Sequence, residues 1–204
     1  MSNLNQTLTV NSVIKGTDFH FIHIPKNGGT SFEKHFLEST FGHYPLTMYD
    51  QSIHDKTVAI IRNPYTRLIS CYNYSKMEKS YWHSTDGSTK YGKHDLYEYC
   101  SSHTFEEFIE DVCVTRLLLN HLHIKPQFTW VMNNKGKVPT NIVHLENINK
   151  ELSSLFGFEV NMSKINTSNS NNYSGFFTEE MENKVKHAFC KDFELFGPFE
   201  SIIQ

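Results

Sequence analysis

The chain has 204 residues, 38% of them hydrophobic and 20% charged, which is enough to bury a core without disulfide or metal staples. An aromatic share of 14% argues against disorder, and sparse glycine and proline argue against a fibrous protein. A formal net charge of -3 excludes a general nucleic-acid coat, which needs a broadly basic face, but leaves room for a local pocket that takes a phosphorylated ligand.

Residues 1–17 read as an N-terminal extension. Phe19 to Ile24, short and apolar between Gly16 and Pro25, predicts a strand, and Thr30 opens a helix through Phe32, Phe36 and Leu37. Thr57 to Ile61 predicts a second strand, whose unbroken apolar run suits burial on both faces of a parallel sheet. A helix follows from Tyr65 through Leu68, Ile69 and Tyr72, with Pro64 suited to its first turn. His83 to Gly92 reads as a loop. Thr104 and Glu107 form a capping box ahead of Phe105, Phe108, Ile109 and Val112 at helical spacing. Asn141 to Leu145 predicts a third strand and Ile148 to Phe156 a helix. A polar loop at 161–177 then precedes the last helix, which Thr178 and Met181 cap and which passes through Val185, Ala188 and Phe189. This alternation predicts a single α/β domain with a mainly parallel central sheet flanked by helices. Ligands in such sheets bind beyond the carboxyl ends of the strands.

The longest apolar run, Val58 to Ile61, is far short of the ~18–20 residues of a membrane span. The first residues have neither the basic start nor the apolar centre of a secretion signal, so a soluble, cytoplasmic protein is expected. Cys71, Cys100, Cys113 and Cys190 are widely spaced and expect to be reduced, buried, small apolar residues.

Two places concentrate chemistry. After the first strand stands Pro25-Lys26-Asn27-Gly28-Gly29-Thr30-Ser31. The glycine pair lets the backbone curl so that successive amides face one anion, and the helix behind it adds its positive end. Lys26 adds a charge, and Thr30 and Ser31 add hydroxyl donors. In the Walker A loop the lysine follows the glycines; here it precedes them. After the second strand, 36 residues beyond Lys26, Arg62 heads Arg62-Asn63-Pro64 and Ser70 lies two helical turns on, a pair suited to a second phosphate.

Phe21 to Ser31 resembles the 5′-phosphosulfate-binding motif of sulfotransferases that use 3′-phosphoadenosine 5′-phosphosulfate (PAPS), and Val58 to Ser70 resembles their 3′-phosphate-binding motif. The GGTS form and the RNPxxRLxSxYNY run through Tyr74 are similar to the carbohydrate branch, sulfotransferase family 2. His123 to Gln127 is similar to that family's HxxPQ element, Asn141 to Asn147 to its strand ending in Glu-Asn, and Asp192 to Gly197 to its closing DFExFG.

The resemblance implies a P-loop-type three-layer fold and sulfuryl transfer from PAPS to an acceptor hydroxyl, most simply on a glycan, leaving PAP as product, with no metal. It assigns donor binding to Lys26, Asn27, Gly28, Gly29, Thr30, Ser31, Arg62 and Ser70, and stabilisation of the leaving PAP to Lys26. For the base it points to His43, between the two motifs and after a glycine; His54 is the reserve, and Glu33 is disfavoured because a carboxylate repels the donor's phosphates. His121 and His123 form an HxH pair without a third ligand at recognisable spacing, which favours packing or substrate contact over a metal. In 166–174, Thr167, Ser170 and Ser174 stand where relatives carry Lys, His and Arg, which predicts a weaker hold on the donor or a less acidic acceptor. Animal relatives carry a Golgi anchor and luminal cysteines that this sequence does not show, so a soluble form of bacterial or viral type is expected. Transfer to a peptide tyrosine or small metabolite, a kinase-type P-loop protein, and a nucleotide-binding relative without turnover are the alternatives; the lysine's position and the want of a Mg²⁺-binding aspartate after a strand disfavour the kinase. Oligomeric state is not legible.

Overall fold

A computed structural model of the chain describes residues 2–38, 42–83, 89–162, 173 and 175–203. In chain order the elements are α1 (Ser2–Asn11), β1 (His20–Ile22), α2 (Gly29–Phe36), β2 (Thr57–Ile61) and α3 (Pro64–Ser75). Then follow β3 (Ser80–His83), β4 (Thr89–Gly92), α4 (Tyr97–Ser102), α5 (Phe105–Cys113) and α6 (Phe128–Val131). The chain continues with β5 (Asn141–His144), α7 (Ile148–Phe156), α8 (Glu179–Ala188) and α9 (Cys190–Phe196), with single 3₁₀ turns at Leu46–Met48, Gln51–Lys56 and Leu145–Asn147.

Two compact units arise: Met1–Arg62 with Gln127–Asn166, and Asn63–Pro126 with Thr167–Gln204. The first holds a parallel sheet in the order β1-β2-β5. Phe21 pairs with Val58, and Ile60 with Val143. Every residue of β2 is buried, as its unbroken apolar run requires of a central strand flanked on both faces. Phe21 stacks on Phe32 of α2 at 4.2 Å between ring centroids, and Phe36 meets Phe156 of α7. Within residues 1–17, Leu8 of α1 and Ile14 are buried, and Val13 bridges His20. The second unit closes on its own core, in which Tyr65, Leu68 and Ile69 of α3 meet Phe108 and Val112 of α5 and Val185 of α8. No helix among the described residues is long and apolar enough to cross a membrane.

Parallel strands with flanking helices make this the α/β fold that the alternation predicts, with four differences. The first strand stops at Ile22, because the carbonyl of His23 accepts from the ring of His43 and so leaves the sheet's ladder. The expected loop at 83–92 is bounded by strands: β3 and β4 pair antiparallel, with Tyr81 opposite Tyr91, and a turn-rich composition between them hid the hairpin. The helix that Thr178 caps is not the last, since α9 follows it directly. Finally, Cys71, Cys100 and Cys113 are buried free thiols as expected, but Cys190 is exposed at the start of α9. Burial pushes the thiols of Cys100 and Cys113 up to about 12, so both are inert at neutral pH.

Candidate functional site

The chain leaves β1 through Pro25 and makes two left-handed residues, Lys26 at φ 68° and Gly28 at φ 78°. Gly28 is the N-cap of α2 and has no side chain to cap it. A Cβ on Gly28 would meet Leu145 Cδ1 at 2.7 Å, and one on Gly29 would land on the His23 ring. Backbone sign demands the first glycine and packing demands the second. At Lys26 the left-handed backbone costs about 1–2 kcal/mol, so the surroundings must impose it. The first bonds of α2 run from the amides of Ser31 and Phe32 to Gly28 O, and helix geometry leaves the amides of Gly29 and Thr30 without intrahelical partners. Lys26 and Thr30 are half-buried, while Asn27 and Ser31 are buried. Such a turn is a cradle for an anion: oriented amides, a helix N-terminus, an ammonium and two hydroxyls.

What imposes the turn lies at the end of β2. The Arg62 guanidinium donates from Nη1 to the carbonyl of Lys26 at 3.1 Å. Gln127, fully buried, accepts the Arg62 amide at 2.9 Å and donates to the Arg62 carbonyl at 2.9 Å. Its Oε1 also accepts from Asn27 Nδ2 at 2.7 Å, and Asn27 Nδ2 reaches Ile60 O at 2.6 Å. One amide side chain therefore ties the loop after β1 to the loop after β2. The sequence hint for it was the HxxPQ resemblance of His123 to Gln127, which does not name its partners, Asn27 and Arg62, 100 and 65 residues away.

Beneath the cradle, His23 and Glu33 form a buried pair, Nδ1 to Oε1 at 2.7 Å, with side chains 4% and 1% exposed. Bonded in this way, the Glu33 carboxylate is a partner of His23. His43 packs edge-on to His23 at 4.2 Å between centroids. Its Nδ1 lies 3.1 Å from His23 O. A carbonyl only accepts, so Nδ1 carries a proton, and in the neutral ring the lone pair then sits on Nε2, the tautomer a general base needs. Nearby Tyr49 is buried, and burial followed by the Glu33 charge holds its phenol far above the usual range, so it stays neutral.

Of the residues picked out in the sequence, Lys26, Asn27, Gly28, Gly29, Thr30, Ser31, His43 and Arg62 all belong to the first unit. Ser70 is half-buried on α3 of the second. His54 lies in the 3₁₀ turn before β2, its ring 3.1 Å from the Asp55 carboxylate. Thr167, Ser170 and Ser174 lie outside the described residues.

A family model described as "Sulfotransferase family" matches residues 12–199. No curated protein and no solved structure matches the chain. The matched span takes in the anion cradle, the Arg62 loop and all three parallel strands, and on that match the chain belongs to the sulfotransferase family.

Proposed function

We propose that the protein transfers a sulfuryl group from PAPS to a hydroxyl, on a carbohydrate, and that the first unit's cradle receives the donor's 5′-phosphosulfate. The observation that carries this reading is the bond from Arg62 to the carbonyl of Lys26, which ties the Arg62 side chain to the backbone of the Lys26–Gly28 turn within a chain of this family. Arg62 then serves the donor's 3′-phosphate. The acceptor's hydroxyl oxygen bonds to sulfur while the bond from sulfur to the bridging phosphate oxygen breaks, and the hydroxyl proton passes to His43 Nε2. Negative charge gathers on the departing oxygen of PAP. Lys26 and the amides of Gly28, Gly29 and Thr30 meet that charge in a frame already built, the kind of stabilisation worth most in a transition state. The carbohydrate acceptor rests on the GGTS and RNPxxRLxSxYNY forms of the two loops.

Calorimetric titration with PAP, against ATP as control, tests the donor. Submillimolar binding of PAP, much tighter than of ATP, supports it, and no preference between them overturns it. Transfer of label from PAPS to a panel of glycans then tests the acceptor, with peptide tyrosine and small phenols as the competing outcomes. Lys26→Ala is expected to lower turnover at least about a hundredfold. His43→Ala is expected to lower turnover while PAP affinity holds; unchanged turnover removes His43 from the mechanism.

A further inference from the structure

Two buried titratable side chains take no direct part in the transfer written above. His23 stands just past β1 and Glu33 on α2, both buried within the first unit. A carboxylate out of water is costly even when paired, and two apolar side chains of like size would fill the same space without that cost. What the pair adds is therefore direction rather than bulk.

An ionised carboxylate only accepts, so the bond of 2.7 Å between Glu33 Oε1 and His23 Nδ1 puts a proton on that nitrogen and stops the ring from turning. The ring so held is a wedge. Its Cδ2–Nε2 edge lies against Gly29 at the head of α2, where a Cβ would collide with it. His43 meets the same ring edge-on, with the two planes at 73° and the centroids 4.2 Å apart. The carbonyl of His23 accepts the His43 Nδ1 proton at 3.1 Å. Trp130, buried on α6, closes on His43 at 6.1 Å between centroids. His43 thus takes both its ring plane and its protonated nitrogen from His23, and His23 takes its own from Glu33.

We propose, on the reading of His43 as the base, that Glu33 and His23 are its positioning residues: the carboxylate fixes the His23 ring, and His23 fixes which His43 nitrogen meets the acceptor hydroxyl. During transfer the hydroxyl proton goes to His43 Nε2, while Nδ1 keeps its own proton on the His23 carbonyl. Without the tie the His43 ring turns and carries its proton on either nitrogen, and an Nε2 that is already protonated accepts nothing.

The first test needs neither donor nor turnover. Long-range proton–nitrogen NMR of the full chain with isotope-labelled histidine, at about pH 8.5 where ordinary imidazoles are neutral, reports which ring nitrogen carries the proton. The spectrum of His43→Asn picks out His43 among the 12 histidines. The expected result is His43 protonated on Nδ1 in the parent and a mixture of tautomers in Glu33→Leu. With labelled PAPS and the best glycan of the panel, Glu33→Leu is expected to lower kcat about tenfold or more, while KM for PAPS and Kd for PAP stay within about threefold. Glu33→Gln, which keeps the shape and one accepting oxygen, is expected to recover most of the loss. Circular dichroism checks folding; if Glu33→Leu does not fold, the double variant His23→Phe with Glu33→Leu makes the pair apolar, a change that buried pairs tolerate, and carries the same expectations. A His43 protonated on Nε2 in the parent, or an unchanged tautomer or unchanged kcat in the variant, overturns the proposal. So does a fall in PAP affinity that matches the fall in kcat, which makes the pair a prop of the cradle alone. A parent that binds no PAP removes the donor reading instead, and the tautomer spectra still decide what His23 and Glu33 do to His43.

Discussion

Gln127 spends both ends of its amide on Arg62 and a third bond on Asn27, all within the buried rim of the cradle. Gln127→Leu keeps the volume but strips partners from the Arg62 amide and carbonyl and from Asn27 Nδ2. Each buried polar group left unpaired costs about 1–3 kcal/mol, so a loss of at least about 2 kcal/mol in denaturant unfolding is expected, together with weaker PAP binding because Arg62 loses its aim. Unchanged stability would show that water takes the amide's place. Gly29→Ala sets a methyl on the His23 ring and forces His23 off Glu33. A Tm drop with lost PAP affinity is expected, whereas Gly16→Ala, where a Cβ has open space but φ is 75°, costs backbone strain alone and spares PAP affinity. These residues differ in how far the sequence exposes them. The glycines and Lys26 stand in one short run whose chemistry reads directly. Gln127 acts through partners 65 and 100 residues away, and no local pattern encodes them.

The same contrast holds among the elements. The central strand β2 was legible to the residue, because burial on both faces writes an unbroken apolar run. The capping box at Thr104 and Glu107 was legible because both halves of it are local. The helix α1 was not, because its sequence is mostly polar and its order comes from docking. That docking has a pH dependence. His20 places Nδ1 3.1 Å from Thr9 O and 3.0 Å from Ser12 Oγ, and partial burial, its largest influence, lowers its pKa below the usual 6.5. Lys56 lowers it further, while the Thr9 bond and Asp18 raise it. The unfolded chain therefore takes up this proton more readily than the folded one, so the stability that neutral His20 lends is present above the ordinary pKa and is lost as pH falls below it. Tm is expected to fall between about pH 7 and about pH 5, and the fall to be smaller in His20→Asn. Equal slopes for the two proteins would rule His20 out as the cause.

At the scale of the whole molecule, the first unit is interrupted: β5, α6 and α7 come from residues beyond 126, after the chain has left for the second unit. A fragment of residues 1–126 keeps both loops of the proposed donor site yet lacks the outer strand that pairs with β2 and the Gln127 brace. It is expected to stay unfolded by circular dichroism and to bind no PAP. A folded, PAP-binding fragment would mean that β1 and β2 suffice. The alternation of strands and helices made the fold class readable, but periodicity is a local property, and the return of the chain to its first sheet is not.

Arg62 follows the last residue of β2 and belongs to no strand, yet Gln127 gives its amide and carbonyl the same two partners that a neighbouring strand would. A side chain here does the work of one more rung. In deuterated water the Arg62 amide should consequently exchange as slowly as those of Ile60 and Ile61, and Gln127→Leu should release it selectively. A single backbone proton thus reports whether the edge proposed to face the donor is set before any nucleotide arrives.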